Sequence, residues 1–357
     1  MVTRAPDAPA PHPAPGWGVI GFGWVARDYM APALAQAGHR LAAVCDPDPR
    51  ARAAARALGA HAHGSIEALL ADESVDLVYV ATPNDAHRRA VEACLAARRP
   101  VLCEKPMAAS LADAEAMAAA ASRPGARYGT AFDQRHHPVH HALRDAVAAG
   151  RIGTPTAVRI VYACWVGADF APGGAGVNWR IDPARAGGGA MLDLAPHGVD
   201  LAGYLLGEPL VELRALLQRR VHGYPVDDGA VLIGSTAGGA LVQLHVAYNM
   251  PEALPRRRLE VAGSTGLLVA CDSMGQTPGG TLACIDGSTG RAEPIEVPDA
   301  HASPFALQAR AFADAALAPD APARLAAAGF DAARDLHAMR LMLRAADPHG
   351  RAGPGGR

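Results

Sequence analysis

Short apolar runs recur along the first third of the chain, and each closes on a glycine, an acid or a proline turn. Trp17-Gly18-Val19-Ile20 ends in Gly21-Phe22-Gly23-Trp24-Val25-Ala26, after which Tyr29, Met30, Ala33 and Leu34 follow at helical spacing. Leu41 to Cys45 closes on Asp46, and Val75 to Val80 closes on Ala81-Thr82-Pro83-Asn84, leading into a helix with His87 in its first turn. Val101-Leu102-Cys103 closes on Glu104-Lys105-Pro106, and Arg127 to Phe132 reads as one more strand. Ser65 and Ser110 stand where caps belong for helices over Ile66–Ala71 and Leu111–Ser122. Apolar strands alternating with helices predict a doubly wound parallel sheet, whose ligands meet the C-terminal strand ends. Gly21, Asp46, Thr82 and Lys105 all fall on that edge.

From Thr154 the pattern changes to consecutive strands with few helices between them. Thr156–Trp165, Leu210–Val221, Ala230–Thr236, Ala240–Asn249, Arg258–Ala262 and Leu267–Cys271 are strand-like, with Thr236-Ala237-Gly238-Gly239 as a hairpin turn. The expected fold class is therefore α/β: an N-terminal doubly wound domain over 16–134 and a C-terminal α+β domain over 135–346 with a large, mostly antiparallel sheet. Pro304–Leu317 and Pro322–Ala345 read as amphipathic packing helices. The Ala/Pro-rich 1–15 and the stretch 347–357 read as disordered tails.

Composition narrows the function. At 357 residues the chain is long for one core and suggests two domains. A net charge of −2 gives no electrostatic ground for a nucleic-acid or anionic-membrane partner. No apolar stretch reaches the length of a membrane span. The six cysteines (45, 94, 103, 164, 271, 284) are scattered without a C-x-x-C pair and read as reduced thiols of a cytoplasmic protein.

The candidate chemistry begins at the glycine turn. Gly21 permits a tight turn, Gly23 lets a pyrophosphate approach the backbone, and Ala26 replaces the third glycine of a G-x-G-x-x-G fingerprint. Asp46, closing the second strand, is placed to accept ribose hydroxyls and repel a 2′-phosphate, which favours NAD. Arg50 and Arg52 nearby keep NADP as the alternative. In Gly187-Gly188-Gly189-Ala190-Met191-Leu192-Asp193-Leu194-Ala195-Pro196-His197-Gly198-Val199-Asp200, Asp193 and His197 are four apart and share one helix face as a proton-handling pair. The glycines admit another backbone or a ligand, with room for nicotinamide or substrate as the expectation, and Pro196 is expected to bend or start the helix. Histidines 136, 137, 140 and 141 have i, i+4 spacing, but without an acidic or thiol companion no metal is expected. Arg135 is expected to face the site from this polar helix entry. The Gly/Pro-rich loop Val166–Arg185 carries Asn178-Trp179-Arg180, where Trp179 offers a flat wall and Arg180 a fork of donors to a substrate. Tyr248 is a weaker candidate of the same kind.

Taken in order, G-x-G-x-x-A, the acid after the second strand, Ala-Thr-Pro-Asn-x-x-His, Glu-Lys-Pro and Gly-Gly-Gly…Asp-x-x-x-His resemble the Gfo/Idh/MocA family over Trp17 to about Ala345. The resemblance implies a Rossmann domain and a nicotinamide cofactor held by Gly21, Phe22, Gly23, Trp24, Val25, Ala26, Asp46, Thr82, Pro83, Asn84, His87, Glu104 and Lys105. It implies that Lys105 reaches the reacting carbon and the nicotinamide ribose, with Glu104 and Pro106 shaping the turn. It supports Arg135 as a basic residue of the substrate loop, beside Trp179, Arg180, Asp193 and His197. It further implies a homodimer or homotetramer built on the free face of the second sheet. The activity expected is hydride transfer between nicotinamide and a secondary hydroxyl or ketone of a sugar, cyclitol or related polyol. In that scheme His197 takes the proton, Asp193 orients His197, and Lys105 bonds the reacting oxygen. A glycoside hydrolase or lyase using transient oxidation, and a non-catalytic cofactor sensor, are the rival readings.

Overall fold

A computed structural model describes residues 14–172 and 177–346. The tails expected to be disordered lie, apart from Ala14 and Pro15, outside the described residues. The first sheet is formed by β1 (Gly16–Ile20), β2 (Arg40–Cys45), β3 (His61–His63), β4 (Leu77–Val80), β5 (Val101–Glu104) and β6 (Tyr128–Ala131). All its pairings are parallel, in the order β3-β2-β1-β4-β5-β6. The strand order therefore reverses between β1 and β4, and the ends of these two strands flank the crevice where α/β sheets bind ligands. Helices α1 (Ala31–Gln36), α2 (Pro49–Ala57), α3 (Ile66–Leu70), α4 (His87–Ala96) and α5 (Leu111–Ala121) link the strands. Ser65 and Ser110 cap α3 and α5 as their positions predict. A π-helical turn over Ala26–Met30 precedes α1. Strand β3 carries no apolar run, since His61-Ala62-His63 pairs only at the sheet's polar edge.

Beyond β6, helix α6 (Pro138–Ala148) leads into the second sheet. It comprises β7 (Pro155–Ala163), β8 (Leu210–Gln218), β9 (Gly229–Thr236), β10 (Leu241–Ala247), β11 (Arg257–Gly263), β12 (Gly266–Cys271), β13 (Thr281–Asp286) and β14 (Ala292–Pro294). Their order is β14-β13-β12-β11-β7-β10-β9-β8, antiparallel except where β7 meets β10. Helices α7 (Pro183–Ala186) and α8 (Ala190–Leu206) lie between β7 and β8 in sequence. One face of the sheet packs on α6, α8 and a C-terminal helix, while Leu216, Ile233 and Leu241 stand exposed on the other.

The last helices differ from expectation in two ways. The single helix expected over 322–345 is two, α10 (Ala321–Ala327) and α11 (Ala332–Ala346), because Gly329 between them takes φ +86°, which ends a helical run. Helix α9 (Pro304–Ala316) returns to the first sheet, although it follows the second sheet in sequence. There Phe305, Ala309 and Phe312 join Trp17, Val19, Met30 and Leu34 in one buried cluster.

Candidate active site

At the end of β1, Gly21 takes φ +86°, and a Cβ there would lie 2.8 Å from the backbone of Ala81 and Thr82. Glycine is thus what allows the two strand ends to meet. A Cβ on Gly23 would meet nothing within 4 Å, and a helical run begins at Trp24, so exposed backbone and a helix N-terminus face the same space. Asp46 braces this turn, its carboxylate accepting from the Phe22 N–H at 2.7 Å and the Asp48 N–H at 2.8 Å. Arg52 is turned onto the chain, donating to the Asp46 and Pro47 carbonyls, while Arg50 is exposed beside Asp48. A side-chain-free turn, a helix start and an acid at the end of β2 fit a dinucleotide.

Several expected cofactor residues act behind the turn. Phe22 and Ala26 are buried in the core. His87 is fully buried, its ring nitrogens each 3.1 Å from the carbonyl oxygens of Pro106 and Thr82, so it ties the ends of β4 and β5 together and offers a ligand nothing. Asn84 donates to the Ala186 carbonyl at 2.8 Å, fastening the first domain to α7, and Pro83 leads into its short helical turn. Thr82 Oγ1 is buried beside the cavity without a partner among the described residues.

That cavity, about 310 Å³, is lined from the first domain by Gly23, Trp24, Val25, Thr82, Asn84, Glu104 and Lys105, and from the second by Trp179, Arg180, Asp193 and His197. The Lys105–Pro106 peptide is cis. Lys105 Nζ donates to Asp193 Oδ1 at 2.6 Å and to the Asp193 carbonyl at 2.9 Å, and Tyr248 OH donates to Oδ2 at 2.6 Å. Desolvation alone would raise the Asp193 pKa. The Lys105 and Arg180 charges and the two side-chain hydrogen bonds outweigh it, holding the carboxyl well below the ordinary range. Glu104 accepts from Tyr79 OH and from the Lys105 N–H, and burial raises its pKa.

Helix α8 runs unbroken through Pro196, so Asp193 and His197 do share a face, yet no hydrogen bond joins them. Both Asp193 oxygens are already engaged by Lys105 and Tyr248. The carboxylate beside His197 is instead Asp133, whose Oδ1 lies 3.5 Å from His197 Nδ1. At that distance no hydrogen bond forms, and Nδ1 is buried without a hydrogen-bond partner among the described residues. Burial, then the Lys105 charge, pushes the His197 pKa well below its usual value. Burial, then Glu104, pushes the Asp133 carboxyl up to about 7, while Gln134 Nε2 donates to its Oδ2 at 2.8 Å.

Two further expectations are corrected. Arg135 does not face the site: its guanidinium grips Asp200 of α8 with two 2.6 Å hydrogen bonds and lies over Tyr204. The helical turn over Asp133–His136 sends Asp133 into the cavity and Arg135 to the opposite side. Gly187 and Gly189 give room to backbone, and Gly188 to the Leu192 side chain, rather than to a ligand. A Cβ on Gly187 would lie 2.1 Å from the Ala109 carbonyl oxygen, and one on Gly189 2.0 Å from that of Asp227. That approach lets Asp227 cap α8, its carboxylate accepting from the Gly189 and Met191 N–H groups at 2.8 and 2.7 Å. The histidines after Arg135 serve packing: His140 bonds the Gln134 carbonyl and Ser273, and His136 stacks on Phe330. Trp179 and Arg180 stand in the cavity wall as expected, with Arg180 against the rings of Trp24, Phe170 and Trp179.

A lysine at the strand edge of a dinucleotide fold, facing an Asp and a His on a second domain's helix, defines a nicotinamide-dependent oxidoreductase. Residues 16–132 match the family described as "Oxidoreductase family, NAD-binding Rossmann fold", and residues 140–269 match the "GFO/IDH/MocA C-terminal domain". The chain belongs to the Gfo/Idh/MocA family. Among its relatives is a 1,5-anhydro-D-fructose reductase of Ensifer adhaerens, 33% identical over 270 residues that cover 74% of this chain and 78% of that protein. The aldose-aldose oxidoreductase of Caulobacter crescentus, solved with glycerol, superposes with a TM-score of 0.80 at 25% identity, covering 93% of this chain and 97% of the other. KijD10, a 3-ketoreductase of Actinomadura kijaniata solved with NADP and TDP-benzene, gives 0.76 at 25% identity over 93% and 96%.

Proposed function

We propose that the protein oxidises a secondary hydroxyl of a sugar, cyclitol or related polyol, or reduces the matching ketone, with NAD as the preferred cofactor. The observation that carries this reading is the Lys105–Asp193–Tyr248 network beside His197, at the C-terminal edge of the first sheet. Bound nicotinamide supplies the hydride acceptor or donor. Lys105, fixed by Asp193, meets the reacting oxygen with a positive charge where negative charge develops. Tyr248 holds the far oxygen of Asp193 and so fixes the lysine's anchor. His197 is neutral at working pH and can take the hydroxyl proton. We assign its orientation to Asp133: the ionised carboxylate accepts from Nδ1–H and leaves Nε2 to the cavity as base, whereas the protonated acid donates to Nδ1 and leaves Nε2–H there as acid. This arrangement supports a division of the chain near 134/135, with the cofactor on one side and the proton-handling helix on the other, α9 alone returning to the first sheet.

Asp46 supports NAD over NADP, because a 2′-phosphate placed against it would meet a carboxylate. Asp46→Ser is expected to narrow the NAD-over-NADP ratio of kcat/KM by about tenfold, the size of a lost charge-assisted contact. The apolar outer face of the second sheet supports a homodimer or homotetramer, to be read by light scattering. The unpaired cysteines support the cytoplasm. A screen of polyols and sugars with NAD and NADP, following absorbance of the reduced cofactor, tests the whole reading. Glycoside cleavage without net NADH would replace it with the hydrolase or lyase alternative.

A further inference from the structure

The proposed reaction uses Lys105, Asp193, His197 and Asp133, yet the same cavity is also lined by Arg256 and Arg257 from the start of β11. Arg257 makes no side-chain hydrogen bond and no ion pair among the described residues, and its Nε is buried without a partner. The cavity's carboxylates are engaged elsewhere: Asp193 by Lys105 and Tyr248, Glu104 by Tyr79 and the Lys105 N–H, Asp133 by Gln134, and Glu252 by Arg256 at 3.3 Å. A guanidinium cannot shed its proton to escape this position, so its charge persists in the wall.

The position of Arg257 is built. Gly275 leaves the space its guanidinium occupies, since a Cβ there would lie 2.6 Å from Arg257 Nη1. Gln134 pins Gly275 from behind, donating to its carbonyl at 2.8 Å and accepting from its N–H at 3.2 Å. Arg256 gives one edge to the Glu252 loop and keeps Nη1 buried without a partner among the described residues. Both arginines line the same cavity as Cys164. A rigidly seated, uncompensated guanidinium matches a planar carboxylate or a phosphate oxygen edge; the dinucleotide's pyrophosphate is assigned to the Gly21–Ala26 turn and helix start, and a neutral polyol has no group that would balance the arginine.

We infer that Arg257, with Arg256 beside it, forms an anion subsite of this cavity, and that the substrate is an acidic sugar or polyol carrying a carboxylate or phosphate ester near its reacting hydroxyl. The inference rests on the dehydrogenase reading for the reacting carbon and adds the class of substrate.

The test uses the full chain with NAD and matched probes: D-glucose against D-glucuronate and D-glucose 6-phosphate, and myo-inositol against its monophosphate. The acidic member of a pair is expected to exceed the neutral one in kcat/KM by about tenfold or more, the scale of one charge-assisted contact. The carboxylate and phosphate arms show which anion is preferred. In Arg257→Gln the acid-to-neutral ratio is expected to fall by about tenfold, with a smaller fall in Arg256→Gln. Equal turnover of the pairs, or a ratio unchanged by Arg257→Gln, overturns the subsite. Trp24, Trp165 and Trp179 line the cavity, so binding of the same probes is also read by tryptophan fluorescence without turnover. No NADH from any probe would count against the dehydrogenase reading alone. Fluorescence titrations would still support the subsite if acidic probes bind and lose affinity in Arg257→Gln, and overturn it if they do not. Should Arg257→Gln fail to fold, Arg257→Lys, which keeps the charge and loses the fork, and Arg256→Gln carry the same comparison.

Discussion

Two carboxylates face one cavity and are held in opposite states. Asp193 meets a lysine and a phenol directly, and those contacts overcome desolvation and keep it ionised. Asp133, beside His197 in the same cavity, meets an amide and a second acid, and desolvation prevails, so it titrates near neutrality. Burial is common to both. The neighbours decide the charge, and the charge decides what each carboxylate does. Asp193 is a fixed anion that anchors Lys105, and Asp133 is a labile one beside His197, to which the proposed mechanism gives the exchange of a proton.

The strongest way to break this contrast is to remove the cation. Lys105→Ala is expected to cut kcat/KM by on the order of a thousandfold or more, while cofactor affinity measured by fluorescence stays within a few-fold. The Asp193 carboxyl should rise toward neutrality in that variant, visible in a carboxyl NMR titration. His197→Ala is expected to cost roughly a hundred- to ten-thousandfold, the range of a lost general base, with cofactor binding again retained.

Asp133→Asn sharpens the contrast through pH. Oxidation by the unaltered protein should rise as pH passes about 7, where Asp133 ionises, and ketone reduction should fall over the same range. The variant should lose that inflection and keep only a flat, lower rate. Stability gives an independent sign. A carboxyl whose pKa is raised on folding binds more protons folded than unfolded, so its contribution declines as pH climbs from about 4 to about 7. Asp133→Asn is therefore expected to flatten that decline and gain on the order of 4 kcal/mol over the unaltered protein at pH 8, relative to pH 4, in urea unfolding. The smallest effect belongs to Tyr248→Phe, which removes one hydrogen bond to Asp193 and should lower kcat by about tenfold at every pH. A pH-dependent loss there would instead tie Tyr248 to the proton path.

Most of the first sheet was legible because its strands are buried on both faces and read as unbroken apolar runs. So was the crevice, since strand ends are marked by Gly21, Asp46, Thr82 and Lys105. The partners of those residues were less legible. Helical spacing put Asp193 and His197 on one face correctly, but spacing says nothing of what each side chain finds across the cleft. Tyr248 and Asp133 come from strand ends far away in sequence. Asp133 did carry a signal: it follows β6 as Asp46 follows β2, and the same strand-end rule would have picked it out. Arg135, two residues on, satisfied composition and resemblance, yet Asp200 one turn beyond His197 had already claimed its fork. The glycines of 187–189 illustrate a symmetric ambiguity, because an absent side chain admits a backbone as readily as a ligand.

Helix α9 has a consequence for how the chain is made. Its phenylalanines close the hydrophobic surface over Trp17, Met30 and Leu34, and they are synthesised only after the strands of both sheets. During translation the nucleotide-side sheet therefore waits with an uncovered apolar flank while the second sheet is completed. A chain truncated near residue 134 would keep every glycine and acid of the dinucleotide crevice and still lack the lid of its own core. Such a fragment should need a chaperone or a supplied α9 peptide to stay in solution.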